Sequence, residues 1–249
     1  MSDTLELLML GCGSPLLPGR SWSSFVAARR LLFEAPPSLT MDLHRAGVNL
    51  LDLDTVFISH FHGDHFAGLP FLLLEYDALT PRACPLNIIA PHGARTKISS
   101  LYEAYYPGFS KRPRNYECNY IELAGGHSFD TGSLTGMAYA MKHMPDRNHS
   151  LGFRVQIGSF VLAYTGDTAR CEEILDLADG VDALVIECTY KEGRDWPTHL
   201  SYEDVCELRA QLPSSAPMVL THLGSEIPPA RELNIIVPRD NSKIVLTKQ

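Results

Sequence analysis

The chain reads as a strand-rich α/β protein forming one domain over residues 1–249, with its sheets covered by helices. Three observations lead there. Short apolar segments rich in β-branched and aromatic residues recur, and several end at a polar residue followed by a turn or helix signal. Helical patterns fall among them without the strict alternation of a parallel βαβ array. Turn chemistry at Gly125-Gly126 and at Gly158-Ser159 separates neighbouring strands as hairpin loops would.

Taken in order, the first strand is Leu5 to Leu10, an apolar run that stops at Gly11-Cys12-Gly13-Ser14. Two glycines after a strand suggest a dinucleotide loop, but the third glycine and a following helix are missing. Ser24 to Phe33 and Thr55 to Ser59 read as further strands. A helical pattern covers Asp64 to Asp77, then a strand Leu86 to Ala90 and a helix Gly93 to Tyr105. Four strands come next, at Tyr120 to Leu123, Leu134 to Lys142, Gly152 to Ile157 and Phe160 to Thr165. A helix over Ala169 to Leu177 leads to the strand Ala183 to Glu187. The helix Tyr202 to Leu212 opens on Ser201, with Asp204 in the glutamate position of a capping box and acids in a first turn where the helix dipole favours them. Met218 to Thr221 and Ile244 to Leu246 complete the strands.

Composition bounds the function. With 45% of 249 residues hydrophobic and 20% charged, the chain can bury a core and is neither disordered nor fibrous. No run approaches the ~18 apolar residues of a membrane span, and the first residues lack the basic region of a secretory signal, so a cytoplasmic protein with no membrane partner is expected. The six cysteines are scattered without a Cys-x-x-Cys pair, which argues for buried thiols over a disulfide scaffold or a zinc ribbon. A formal net charge of -8 disfavours wrapping an extended nucleic acid, because such affinity comes from Lys and Arg neutralising phosphates. The densest basic stretch, Lys111-Arg112-Pro113-Arg114, reads as a solvated loop.

The strongest chemical signal is His60-Phe61-His62-Gly63-Asp64-His65, directly after the apolar Val56-Phe57-Ile58. Four potential metal ligands lie within six residues. Residues two apart on an extended segment face the same side, so His60 and His62 can share one ion while Asp64 and His65 address another. Imidazole suits zinc and related metals, and a carboxylate adds charge compensation. Gly63 lets the backbone turn between the pairs. Completing ligands are available where later strands end, at His143, at Asp167 within Tyr164-Thr165-Gly166-Asp167-Thr168, and at His222.

With these segments in view, the chain resembles the metallo-β-lactamase superfamily, most closely its ribonuclease Z-like branch. The resemblance spans nearly the whole sequence: Leu10-Gly11-Cys12-Gly13-Ser14-Pro15, Ser59 through Pro70, His143, Tyr164 through Thr168, Glu187-Cys188-Thr189-Tyr190, Thr198-His199-Leu200-Ser201 and Thr221-His222. It implies a four-layer αββα sandwich with two divalent metals at one edge. By that resemblance His60, His62 and His143 hold the first ion, Asp64, His65 and His222 the second, and Asp167 bridges both. His149, closer to Gly152-Phe153 than is usual for the third-motif ligand, competes with His143, which fits the strand end. The resemblance also makes His199 a catalytic histidine oriented by Glu187, alongside Asp64. The alternative is that His199 caps the helix near Ser201 and Glu187 merely ends a strand. Zinc is the expected metal, with manganese and iron open to the same ligands.

Two divalent ions less two carboxylates and a bridging hydroxide leave one positive charge, which suits an anionic phosphodiester. An imidazolium at His199 would steady a phosphoryl oxygen or protonate the leaving alkoxide. Departures from the branch bear on substrate. Only 23 residues separate His143 from Asp167, leaving no room for a long arm that binds transfer RNA. Glu34-Ala35-Pro36-Pro37 replaces the usual Asp-Cys-Gly-Glu-Gly-like segment, and Leu223-Gly224-Ser225-Glu226 lacks the expected arginine. The expectation is therefore a metal-dependent hydrolase of small or cyclic phosphodiesters, a homodimer being possible. Alternatives are a lactone, thioester or β-lactam hydrolase on the same centre, a ribonuclease Z-like RNA endonuclease, and a non-catalytic metal-binding module. His44, His92 and His127 carry no site role, and the aromatic segment Tyr102 to Tyr116 is placed over the site as a cover.

Overall fold

A computed structural model describes residues 4–146, 149–193, 196–212 and 216–248. Its strands are β1 (Thr4–Gly11), β2 (Ser24–Ala27), β3 (Leu31–Phe33), β4 (Thr55–Phe57), β5 (Leu86–Pro91), β6 (Cys118–Leu123), β7 (Ser128–Asp130), β8 (Thr135–Ala140), β9 (Leu151–Ile157), β10 (Phe160–Tyr164), β11 (Ala183–Glu187), β12 (Met218–Thr221), β13 (Ile235–Ile236) and β14 (Ser242–Thr247). The α-helices are α1 (Leu39–Arg45), α2 (Gly63–Phe66), α3 (Leu69–Leu74), α4 (Ala94–Tyr105), α5 (Glu173–Ala178) and α6 (Tyr202–Gln211). The strands form two seven-stranded sheets, ordered β14-β1-β2-β3-β4-β5-β6 and β13-β12-β11-β10-β9-β8-β7.

Period-two alternation assigns each side chain to a layer. On β1, Leu5, Leu7 and Met9 enter a central core with Phe25, Phe33 and Phe57 of the first sheet and Phe153, Leu162, Tyr164 and Val185 of the second. Leu10, Val26 and Val56 point the opposite way and pack on Leu39 and Leu43 of α1, Leu72 of α3 and Ile98 of α4. The second sheet's outer face, with Ala163, Leu184 and Leu220, is covered by Ile174 and Leu177 of α5 and Val205 and Leu208 of α6. These three apolar clusters are the three interfaces of a four-layer αββα sandwich. In the middle one, Phe25, Phe33 and Phe57 stack with centroids 4.5 Å apart at each step, and Tyr164 meets two of the rings edge-on at 5.4 and 5.6 Å.

Several expectations need correcting. The strand expected over Ser24 to Phe33 is an antiparallel hairpin, because Ala28 and Arg29 adopt φ of +51° and +62° and reverse the chain. Neither residue type announces a left-handed turn. The helix expected over Asp64 to Asp77 is divided into α2, α3 and a π-turn at Glu75–Leu79. Gly68 sits at the break, where its amide reaches Ala35 O at 2.8 Å and an added Cβ would lie 1.9 Å from Pro36 O. Gly125-Gly126 does not close a hairpin. It carries the chain from β6, an edge of one sheet, to β7, an edge of the other. Gly158-Ser159 does turn a hairpin, pairing Ile157 with Phe160. Helix α1 and strands β7 and β13 were not expected. Lys111, Arg112 and Pro113 are exposed, but Arg114 is drawn in by Asp77 at 3.0 Å.

This topology brings together one set of strand ends. Strands β10, β11 and β12 run parallel, so their carboxyl ends lie side by side and deliver Asp167, Glu187 and His222 to one edge. The His60 segment follows β4 and His143 follows β8 onto the same edge.

Candidate metal centre

The structure gathers all seven predicted ligands. Nitrogen or oxygen atoms of His60, His62 and His143 lie within 4.8 Å of one another, as do those of His60, His65 and Asp167 and those of Asp64, His65 and His222. Asp167 Oδ2 is the common point. It lies 3.2 Å from His65 Nε2, 3.4 Å from His222 Nε2, 3.8 Å from His60 Nε2 and 3.9 Å from His143 Nε2. Asp64 Oδ2 is 3.3 Å from His65 Nε2 and 3.4 Å from His222 Nε2. His149 is elsewhere: its side chain is 43% exposed and 3.3 Å from Asp146.

The donor set fits divalent metals, on two grounds. First, buried polar atoms are normally hydrogen-bonded, yet His60 Nε2, both ring nitrogens of His65 and Asp167 Oδ1 have no such partner. Second, the far nitrogens are oriented by the chain. His143 Nδ1 lies 3.0 Å from Thr198 O, which can only accept, so Nδ1 carries the proton and Nε2 keeps its lone pair. Thr189 Oγ1 donates to Glu187 Oε2 at 2.8 Å and so accepts from His222 Nδ1 at 2.9 Å, again leaving Nε2 to ligate. His60 Nδ1 meets Ser59 Oγ at 3.0 Å. His62 presents Nδ1, 3.1 Å from His143 Nε2.

Local backbone geometry serves this arrangement. Gly63 begins α2, which turns Asp64 and His65 away from the extended His60–His62 stretch. Gly166, at φ +59°, passes so close to Ser59 that an added Cβ would lie 2.5 Å from that side chain, and it sets the position of Asp167. His222 itself holds φ +53°, a strained conformation of the kind concentrated at functional sites.

Electrostatics follow from burial and neighbours. Burial, then the charge of His65, holds His60 well below the ordinary imidazole value; burial and His143 lower His62, and burial lowers His143. Burial also opposes charge on His65, but the carboxylates of Asp167 and Glu34 outweigh it and push this imidazole well above its ordinary value. Asp167 is fully buried, which favours its neutral form, yet His222 and His65 keep it well below the carboxylate range. Asp64 is lowered in the same way by His222 and His65.

His199 lies beside the cluster with its Nδ1 2.9 Å from Glu187 Oε1 and its ring stacked on His222 at 5.3 Å. Burial lowers its pKa, but Glu187 prevails and raises it to about 9. Glu187 is fixed by backbone amides of Thr168, Thr189 and Leu200. The helix α6 is capped by Ser201 with a complete capping box, so His199 is not its cap. Ser14, Pro15, Leu16, Trp196 and Thr198 line one cavity of about 350 Å³ together with His62, Asp64, His143, Asp167, Thr189, His199 and His222. The expected cover is not there: Tyr102, Tyr106, Phe109 and Tyr116 pack into the outer cluster beneath α3 and α4, and none lines the cavity.

Sequence reasoning missed Glu34. Read only as part of a departure from the family pattern, it is fully buried at φ +63°, accepts from the Ser59 amide at 3.2 Å and from Tyr164 OH at 3.0 Å, and lies 3.5 Å from His65 Nδ1. An acid directly after an apolar strand was the available signal, as it is at Glu187. Thr189 and the Thr198 carbonyl were missed as well; nothing in their residue types marks them.

Comparison with known proteins agrees with this geometry. A model of the beta-lactamase superfamily domain matches residues 29–223, well over half of the chain. Ribonuclease Z of Mycobacterium bovis (strain BCG / Pasteur 1173P2) is 25% identical over 250 residues, covering 92% of this chain and 89% of its own. Ribonuclease Z of Pyrococcus abyssi (strain GE5 / Orsay) is 26% identical over 251 residues, with 82% and 81% covered. Among solved structures, the short form of human tRNase Z superposes with a TM-score of 0.76 at 21% identity over 96% of this chain and 98% of its own. A diphosphatase of the PhnP family superposes with a TM-score of 0.71 at 17% identity over 98% and 100%. The chain thus belongs to the beta-lactamase superfamily and has the metallo-β-lactamase fold, with proteins named ribonuclease Z among its relatives.

Proposed function

We propose that the protein is a phosphodiesterase that carries two divalent metal ions, with zinc the best match to the donors. His60, His62 and His143 would hold one ion and Asp64, His65 and His222 the other, with Asp167 between them. Such ions supply Lewis acidity and lower the pKa of water to about 7. The chain's own residues do the rest. Asp64 and Asp167 offset much of the cationic charge, and Glu187 holds His199 protonated, with Nε2 left to face a phosphoryl oxygen or the leaving alkoxide.

The observation that carries this reading is the Glu187–His199 pair, 2.9 Å apart beside the ligand cluster, with His199 lining the same cavity and Glu187 buried behind it. A centre used only to stabilise the fold has no need of a carboxylate-held imidazole that faces a cavity. A protonated imidazole beside the leaving oxygen can assist an alkoxide leaving from phosphorus or from a carbonyl centre, and the curated relatives named ribonuclease Z favour phosphorus over a lactone.

For substrate, the connection from His143 to Asp167 is largely the β9–β10 hairpin, which supports small or cyclic phosphodiesters. The curated relatives named ribonuclease Z support a second reading, an RNA endonuclease. Turnover of bis(p-nitrophenyl) phosphate, a nucleoside 2′,3′-cyclic phosphate and a transfer-RNA precursor by the metal-loaded protein separates the two. Hydrolysis of the small diesters, abolished by Asp167→Ala, is expected. Cleavage of the precursor alone would select the second reading, and lactonase activity without phosphodiesterase would overturn both.

A further inference from the structure

Trp196 is 58% exposed and Leu16 is 43% exposed, and both line the cavity that holds the ligand cluster. They are two of nine large apolar side chains left exposed among the described residues, and the other seven lie outside that cavity. Leaving an indole in water costs transfer free energy, so one kept at the mouth of a polar site calls for a partner.

The backbone from Trp196 to His199 is tied down at several points. The Trp196 amide donates to Tyr190 OH at 3.2 Å, Thr198 O meets His143 Nδ1 at 3.0 Å, and His199 Nδ1 meets Glu187 at 2.9 Å. On the other side, Ser14 donates its amide to Leu223 O at 2.8 Å, which fixes the Pro15-Leu16 loop beside His222. Both walls are therefore anchored through their backbone to the residues they flank. The described lining also contains two carboxylates, Asp64 and Asp167, and neither Lys nor Arg. A long polyanion has no cationic track there, whereas one flat apolar group beside a single phosphodiester has a matching wall.

We propose that Trp196, backed by Leu16 and Pro15, is the specificity-determining residue of this site and stacks a flat aromatic group carried by the substrate, a nucleobase or an aryl ring. The inference rests on the phosphodiesterase reading and narrows its substrate class. The aromatic group lies against the indole, and the phosphodiester beside it reaches the ligand cluster and His199.

The test has a kinetic and a binding arm. Metal-loaded wild type, Trp196→Ala and Trp196→Phe are assayed on adenosine 2′,3′-cyclic phosphate, on bis(p-nitrophenyl) phosphate and on a ribose cyclic phosphate without a base. Trp196→Ala raises KM about tenfold for the substrates with a ring and less than twofold for the abasic one, kcat changes little, and Trp196→Phe recovers most of the loss. A nucleobase effect without an aryl effect assigns the wall to nucleotides, and the reverse assigns it to aryl esters. Equal KM changes for the abasic and ring-bearing substrates would overturn the proposal.

In the binding arm, adenosine monophosphate quenches tryptophan fluorescence of the metal-loaded protein, ribose 5-phosphate does not, and Trp22→Phe keeps the quench while Trp196→Phe loses it. No quench together with no aryl effect in the kinetic arm, or equal quenching by ribose 5-phosphate, overturns the stacking role. If the protein hydrolyses no phosphodiester yet the quench follows Trp196, the functional reading fails and the aromatic wall stands.

Discussion

On the proposed function, His199 and Glu187 would act on bond breaking and the ligand cluster on metal assembly, so single substitutions should separate the two. His199→Gln is expected to lower kcat on a small phosphodiester by about 10²- to 10⁴-fold while the bound metal stays at the wild-type level. Glu187→Gln should give a loss of similar size, and the double variant should be far from additive because the two side chains form one hydrogen-bonded unit 2.9 Å across. Additive losses would mean that the residues work apart. Glu34 should behave differently. Glu34→Ala removes the acceptor of Tyr164 OH and leaves His65 Nδ1 without its carboxylate, so metal affinity falls about 10- to 100-fold in a competition titration with a chelator. At this scale the sequence is legible where ligands are local, as in His60 through His65. It is silent where the partner is far along the chain: Tyr164, which marks Glu34 as buried, lies 130 positions away.

Helix and strand ends decide how firmly those residues are held. The Ser201 side chain accepts from the Asp204 amide, and the Asp204 side chain accepts from the Ser201 amide, so Ser201→Ala removes one half of the box. A stability loss of about 1 kcal/mol in urea unfolding is expected, with the His199 loop, two residues upstream, loosened. Gly68→Ala should cost more, about 1–3 kcal/mol, because its Cβ would lie 1.9 Å from Pro36 O and neither backbone can give way without disturbing Ala35 or α3. An unchanged urea midpoint for Gly68→Ala would show that the break between α2 and α3 is not a tight contact. Elements with their own signal were readable: the apolar strands β1, β5, β11 and β12, the β9–β10 turn at Gly158, and the cap of α6. The β2–β3 hairpin was not, since Ala28 and Arg29 take left-handed conformations against their intrinsic preference and are held there by pairing on both sides, including Ala28 N to Glu6 O at 3.0 Å. Strand β7 and α1 are three and seven residues long, too short for periodicity to register.

At the scale of the whole molecule, the sandwich is a means of bringing distant segments to one edge. The cluster draws on segments from His60 to His222, so ions bound there would cross-link both sheets and stabilise the folded state over the unfolded one. Free metal at one hundred times its dissociation constant should contribute about 2.7 kcal/mol per site, and chelation should lower the melting temperature by several degrees in a way that added zinc reverses. Sequence alone could identify the layers only through resemblance, because which side of each strand faces which layer depends on register, and register is set by pairing between strands far apart in the chain. The central claim is that two cations share the seven-residue cluster around Asp167. Its most direct test is elemental analysis of protein purified without chelators. The account predicts two equivalents of a divalent metal per chain, falling to about one in both His62→Ala and His222→Ala and to less than one in Asp167→Ala. A chain that is folded but holds no stoichiometric metal, or that keeps two equivalents without Asp167, would contradict it.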